Sequence, residues 1–352
     1  MERVRTLDAI DIATWRGYEW GVAPSAPNGT PAVKTVSAAR WLVGPDADVD
    51  VAVRARLAGL ALAAPGLSDG ARQRLRHAAR REAADRALAE REAGEVLRAL
   101  AAAGVEVLVW KGLAVAERWA EPRLRPAGDL DLLVGAAELD AAVVALAPFA
   151  TPSPAAAPRW IDRVRPSSPG VELWPRPGRT LAIDVQTRPF RTVGATIDGA
   201  ALLARSQAGS IADARCRILD PADEILVVLV HAAKHGARAP RWVVDGLALT
   251  GRSDDAWRTA WERAVAAEVT RPLCAMAALL RSLGATPPSW LPPPPPGWSL
   301  LCDGEAARQG RPWSRAERYL AELLFEPNLR HLAARGLGVL ARLLFSFAPH
   351  TR

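Results

Sequence analysis

Residues 105–134, VEVLVWKGLAVAERWAEPRLRPAGDLDLLV, restrict the fold more than any other stretch of the chain. Val105 to Trp110 is a short, β-branched, apolar run that suits a buried strand, and Lys111-Gly112 interrupts it where a helical pattern begins. The segment returns as Asp129-Leu130-Asp131-Leu132-Leu133-Val134, whose alternation sends Asp129 and Asp131 to one side of a strand and Leu130 and Leu132 to the other. Two carboxylates side by side next to a core repel each other and resist loss of water, so a positive group belongs between them. A hard divalent cation is the natural candidate.

Before this segment, residues 1–45 carry a Pro, Gly, Ser and Asn loop signal and are expected to be weakly ordered. Residues 46–104 read as helical. One helix is expected from about Asp46 to Ala63, and Ser68-Asp69 opens a long Arg- and Glu-rich helix to about Ala103. The charges of that helix at three- and four-residue offsets suit a solvated face. Residues 105–219 are expected to form the α/β core, with a helix over Ala136–Ala147, a short strand at Val171–Trp174, and a strand ending Ala182-Ile183-Asp184-Val185-Gln186 that sets a third carboxylate, Asp184, in strand context. Residues 220–352 read as mostly helical. Asp220-Pro221 is a helix cap and first position, the helix runs to His235-Gly236, further helices follow, and Pro292–Pro296 reads as a stiff polyproline spacer. A last apolar helical stretch spans Trp313 to Phe347.

Composition narrows the function. Lysine occurs only at Lys34, Lys111 and Lys234 among 45 basic residues, so each survivor is informative where arginine would serve as a plain surface charge. The net charge of +7 suits a protein that handles phosphates. No arginine-rich tail or aromatic-interleaved basic stripe occurs, which makes nucleic acid an unexpected partner but not an excluded one. Three widely spaced cysteines, Cys216, Cys274 and Cys302, argue against a disulfide framework and a cysteine zinc site. With no run of eighteen apolar residues and charges at the N-terminus, a cytoplasmic protein with no membrane partner is the expectation.

Taken together, Lys111-Gly112, Arg125-Pro126, Gly128-Asp129-Leu130-Asp131, Asp184, and His231-Ala232-Ala233-Lys234-His235-Gly236 with Arg241-Trp242 and Asp245 resemble the uncharacterised nucleotidyltransferase family of the polymerase-β-like superfamily over about residues 50–285. The resemblance implies an α+β fold: a mixed sheet with flanking helices and a mostly helical C-terminal region. It implies two Mg²⁺ ions and transfer of a nucleoside monophosphate from a nucleoside triphosphate (NTP) to a hydroxyl of a small molecule, peptide or protein. Asp129, Asp131 and Asp184 would then be the catalytic metal ligands, Asp184 at the hydroxyl-activating ion. Lys111 would neutralise phosphate, and Gly112 would let the backbone approach at a helix start whose free N–H groups favour anions. The chain departs from many polymerase-β-like enzymes in having Lys-Gly for Gly-Ser in the turn, and from relatives in having Gln186 where His often follows the third acid.

Each residue also has a plainer reading. Asp129 can cap a turn, Asp131 can pair with Arg125, Asp184 can be an exposed strand acid and Lys111 can snorkel. Arg125 is either a loop salt bridge or a bidentate triphosphate contact. His231 and His235 share a helical face, a spacing that permits zinc but lacks a third ligand. They are expected to hydrogen-bond at an acceptor or nucleotide pocket, with Lys234 on phosphate and Asp245 orienting Arg241 or a histidine. Two other functions stay open at this stage: a kinase-like phosphotransferase acting on a peptide natural product, and a catalytically silent nucleotide-binding or antitoxin-like module.

Overall fold

The computed structural model describes residues 38–44, 49–152, 170–189, 197–300, 302–310 and 317. The expectations for residues 1–37 and for the apolar stretch toward Phe347 lie outside them, whereas residues 38–44, expected to be weakly ordered with the rest of 1–45, are helical to Val43 and bury Ala38, Ala39, Leu42 and Val43 in the core. The single helix expected after Asp46 is instead two short ones, α1 (Val49–Arg54) and α2 (Ala58–Ala61). Arg56 between them turns to φ +60°, and the Glu82 carboxylate accepts the Ala58 N–H at 2.9 Å, which starts the chain afresh. Helix α3 (Asp69–Ala102) follows, opened by the Ser68 hydroxyl accepting from the Ala71 N–H at 3.2 Å. At about 1.5 Å per residue its 34 residues extend for about 50 Å. Its early residues Leu75, Ala78 and Ala79 pack with α1 and α2, and its later residues Ala89, Ala93, Val96, Leu97 and Leu100 pack on the sheet.

The sheet collects β1 (Val107–Val109), β2 (Asp129–Val134), β3 (Ala150–Pro152), β4 (Gly170–Pro175), β5 (Ala182–Gln186), β6 (Gln207–Ile211) and β7 (Ala214–Ile218) in the order β3-β4-β5-β2-β1-β7-β6. It is mixed: β2 runs parallel to β5 and β1 to β7, and the other neighbours are antiparallel. One turn of helix, α4 (Leu113–Ala116), lies between β1 and β2, and α5 (Leu139–Leu146) and α6 (Gly199–Arg205) are the remaining short helices of this region.

Alternation sorts the strands into two cores. Val107, Val109, Leu130, Leu132, Val134, Ile183 and Val185 face α3 and α5. Leu108, Trp110 and Leu133 face the C-terminal helices. Those helices are α7 (Pro221–Lys234), α8 (Pro240–Leu249), α9 (Asp254–Ala266), α10 (Thr270–Ser282) and α11 (Gly304–Gln309). Helix α7 is their centre, buried from Ala222 to Val230 and packed by α8, α9 and α10. Asp220 caps it, accepting from the N–H groups of Ala222 and Asp223 at 2.9 Å. Its buried acids are matched: Asp223 takes Arg205 at 2.8 Å and Arg263 at 3.0 Å, and Glu224 takes Arg118 at 3.1 Å and also Arg252. Pro292–Pro296 does not stand free as a spacer but lines a surface recess of about 490 Å³ with Trp261, Thr270, Arg271 and Cys274. The three cysteines are free, and burial pushes Cys302 up to about 12. No helix among the described residues is long and apolar enough to cross a membrane.

Candidate active site

Parallel pairing of β2 with β5 sets Asp131 directly beside Asp184, and alternation along β2 places Asp129 on the same face as Asp131. This is the face turned toward α7, since Leu133, two residues on from Asp131, joins that core. Asp129 is exposed, Asp184 half-buried and Asp131 only 4% exposed. The three acids, two from β2 and one from β5, therefore lie on one face of the sheet.

The positive group next to Asp131 is Lys111, whose Nζ lies 2.7 Å from Oδ1. One ammonium does not balance three carboxylates. Burial, opposed by Lys111 and assisted by Asp129 and Asp184, raises the Asp131 carboxyl from 3.8 to about 6. Among the described residues no three His, Cys, Asp or Glu side chains stand in a ligating arrangement. In this conformation Asp131 is engaged by Lys111, and Asp184 accepts a hydrogen bond from the Gln186 amide.

Lys111 reaches Asp131 from the turn after β1. Gly112 makes that turn with φ +58° and ψ −114°, a combination open to glycine, and a Cβ there would lie 3.3 Å from the Asp129 carbonyl oxygen. The helix start expected to bind anions is a single turn, because the next residues are drawn into long-range pairs. Arg118 goes to Glu224, and the Trp119 indole N–H donates to Asp245 at 2.9 Å. Gly128 stands open, and a Cβ there would meet nothing within 4 Å.

Beyond Lys111 an aromatic and basic group continues toward α7. The Lys111 ammonium lies 4.1 Å over the Trp110 ring, and Trp110 meets His231 edge-on at 6.0 Å between centroids. His231 lies 4.7 Å from His235 and 5.2 Å from Trp242, and the Arg241 guanidinium sits 5.7 Å from Trp242. Burial first, then the charges of Lys111, His235, Lys234 and Arg241, holds His231 well below the usual histidine range. It is neutral at physiological pH, and its neighbours supply the positive potential.

Two expectations need correction. Arg125 is not free for a triphosphate: its fork is spent on Asp245, at 2.8 Å and 2.9 Å, with both side chains buried. Asp245 accordingly orients Arg125 and Trp119, not Arg241 or a histidine. This pair joins the loop before β2 to α8, and the Arg125 carbonyl also accepts from Arg86 at 2.7 Å. A residue that sequence reasoning passes over is Glu172, which β4 registers beside Asp184. Its signal is the alternation of Val171-Glu172-Leu173-Trp174, which sets Glu172 and Trp174 on one face. Glu92 of α3 belongs by its charge pattern to a solvated face, yet it is 2% exposed and accepts the Thr180 and Leu181 N–H groups at 3.0 Å and 2.8 Å, fixing the entry to β5.

Comparison with known families finds a match. The family model described as uncharacterised nucleotidyltransferase matches residues 45–284, well over half of the chain. The chain belongs to that family. Its mixed sheet with flanking helices is the α+β arrangement expected of such a nucleotidyltransferase. No curated protein matches the sequence. The family assignment covers both the acid-bearing strands and helices α7 to α10 of this nucleotidyltransferase, so the carboxylates and the His231–Arg241 group fall within one matched unit.

Proposed function

We propose that this nucleotidyltransferase moves a nucleoside monophosphate from an NTP to a hydroxyl acceptor, with Mg²⁺ held by Asp129, Asp131 and Asp184. The observation that carries this reading is the register of Asp131 with Asp184, with Asp129 on the same face and Lys111 alongside. Three carboxylates balanced by one ammonium form an oxygen-donor set short of positive charge, which fits a hard divalent cation. When bound, such ions lower the pKa of the attacking hydroxyl and stabilise the departing pyrophosphate.

The chain's own residues supply the rest. Asp184, on the strand farther from the basic group, accepts the proton of the attacking hydroxyl. Lys111, no longer needed as the partner of Asp131, turns its charge to phosphate. Lys234 and Arg241 add to the same positive field, and neutral His231 offers a hydrogen bond without adding charge. The arrangement favours attack at the α-phosphorus, because the chain has no Gly-x-x-x-x-Gly-Lys-Ser/Thr loop to cradle a triphosphate for γ transfer. Pyrophosphate release from a mixture of NTPs with Mg²⁺ tests the reading. It should fall by about a hundredfold or more in Asp131→Asn and Asp184→Asn. Undiminished release in both variants would remove the carboxylates from the chemistry.

A further inference from the structure

We propose that β4 and the end of β5 form the acceptor subsite of this nucleotidyltransferase and that the acceptor is a hydroxylated amine. The inference rests on the nucleotidyl transfer proposed above and extends it to the second substrate. Sidedness comes first. Lys111, Lys234 and Arg241 gather on the β1 and α7 side of the acids, where they draw the pyrophosphate. In-line displacement puts the attacking oxygen on the opposite side of the α-phosphorus, which is over Asp184 and then β4.

What lies there has one chemical character. Glu172 is the registered neighbour of Asp184, and among the described residues no lysine or arginine pairs with it. Trp174, two residues along the same face, is 48% exposed, and its indole N–H donates to Glu172 at 3.2 Å, which fixes the ring beside the carboxylate. Gln186 is 5% exposed. Its amide nitrogen donates to Asp184, which as a carboxylate can only accept, so its carbonyl oxygen is turned elsewhere and accepts no hydrogen bond among the described residues. Gly170 lies opposite Gln186, and a Cβ there would come 2.2 Å from the Val185 carbonyl oxygen and 2.9 Å from the Gln186 Cγ, so glycine is what lets the two strands pack this closely.

The subsite thus presents two carboxylates and an aromatic face, beside a Gln186 whose carbonyl oxygen is buried without a partner among the described residues. A ligand that satisfies them brings hydrogen-bond donors and positive charge, the latter favoured by both Glu172 and the Trp174 ring. In the transfer, the acceptor oxygen bonds to the α-phosphorus and the bond from that phosphorus to the α–β bridging oxygen breaks. The hydroxyl proton passes to Asp184, and the electron pair leaves with pyrophosphate.

Glucosamine, glucose and glucuronate share a ring and hydroxyls and differ in charge, so they serve as probes with the full chain, Mg²⁺ and α-labelled NTPs. Label should enter glucosamine about tenfold faster than glucose, and glucuronate least. Glu172→Gln should erase the preference for glucosamine over glucose. Trp174→Ala should raise the KM for glucosamine by about tenfold with little change in the KM for NTP, and Trp174→Phe should restore most of it. Val265→Ser, at an exposed apolar residue of α9, should alter neither. Pyrophosphate release without discrimination, meaning the three sugars labelled alike or none labelled, overturns the subsite while leaving nucleotidyl transfer standing. No pyrophosphate release under any condition overturns both.

Discussion

On the proposed function Asp131 carries two demands at once, as a buried acid in the fold and a charged group in the reaction. Its carboxyl is raised to about 6 from 3.8, so between about pH 4 and pH 6 the folded protein holds a proton that the unfolded chain has released. Stability therefore declines as pH rises through that window, while binding of a cation that needs the ionised form improves. Asp131→Asn should melt at pH 7 no lower than the parent and lose the decline between pH 4 and pH 6, even as Mg²⁺-dependent activity disappears. Melting curves across pH check this, and a variant that melts well below the parent at pH 7 contradicts it. The Arg125–Asp245 pair makes the opposite forecast. Arg125→Ala leaves a buried carboxylate without its fork and should cost about 3–5 kcal/mol, whereas Arg125→Met with Asp245→Leu should recover much of that loss. Denaturant titration decides, and a stable Arg125→Ala protein with only a raised KM for NTP would return Arg125 to the role of a phosphate contact.

Among the elements, local rules are legible where local forces dominate. Strand alternation puts Asp129 and Asp131 on one face, and Ser68 and Asp220 mark the starts of α3 and α7 as caps do. Register is not legible, so Glu172 stays unseen until β4 is paired with β5. The β6–β7 hairpin escapes the sequence as well. Its turn residues Ala212 and Asp213 adopt φ +48° and +60°, but they lack the Asn-Gly or Asp-Gly sequence that usually announces such a turn. The helix after Gly112 is shorter than its pattern suggests because Arg118 and Trp119 serve α7 and α8 instead of continuing it. The turn at Gly112 supplies the element-scale prediction. Gly112→Ala forces a side chain into a positive-φ position 3.3 Å from the Asp129 carbonyl and should cost about 1–3 kcal/mol. It should also lower activity more than an equally destabilising core substitution such as Leu146→Val, because it displaces Lys111 and Asp129 together. Equal specific activity in the two folded proteins would contradict that coupling.

At the scale of the whole molecule, the site exists because the sheet is covered on both sides by different helices. Leu108, Trp110 and Leu133 are finished by α7, and the same face carries the acids. A fragment of residues 105–219 should therefore show no cooperative thermal transition, and a sharp calorimetric peak from it would contradict the dependence on α7. The pairs that lock this arrangement, Arg125 with Asp245 and Arg118 with Glu224, join residues more than a hundred positions apart. No local pattern announces such partners, which is why sequence alone leaves Arg125 between a loop salt bridge and a triphosphate contact and gives Asp245 to Arg241 or a histidine. The central claim is that this assembly transfers the nucleoside monophosphate, and the position of the label measures it most directly. With Mg²⁺, acceptor, and NTP labelled separately at the α and γ phosphates, only the α label should appear in the product while the γ label leaves in pyrophosphate. Transfer of the γ label would contradict the account and make the protein a kinase, and binding of NTP with neither label moved would make it a silent module.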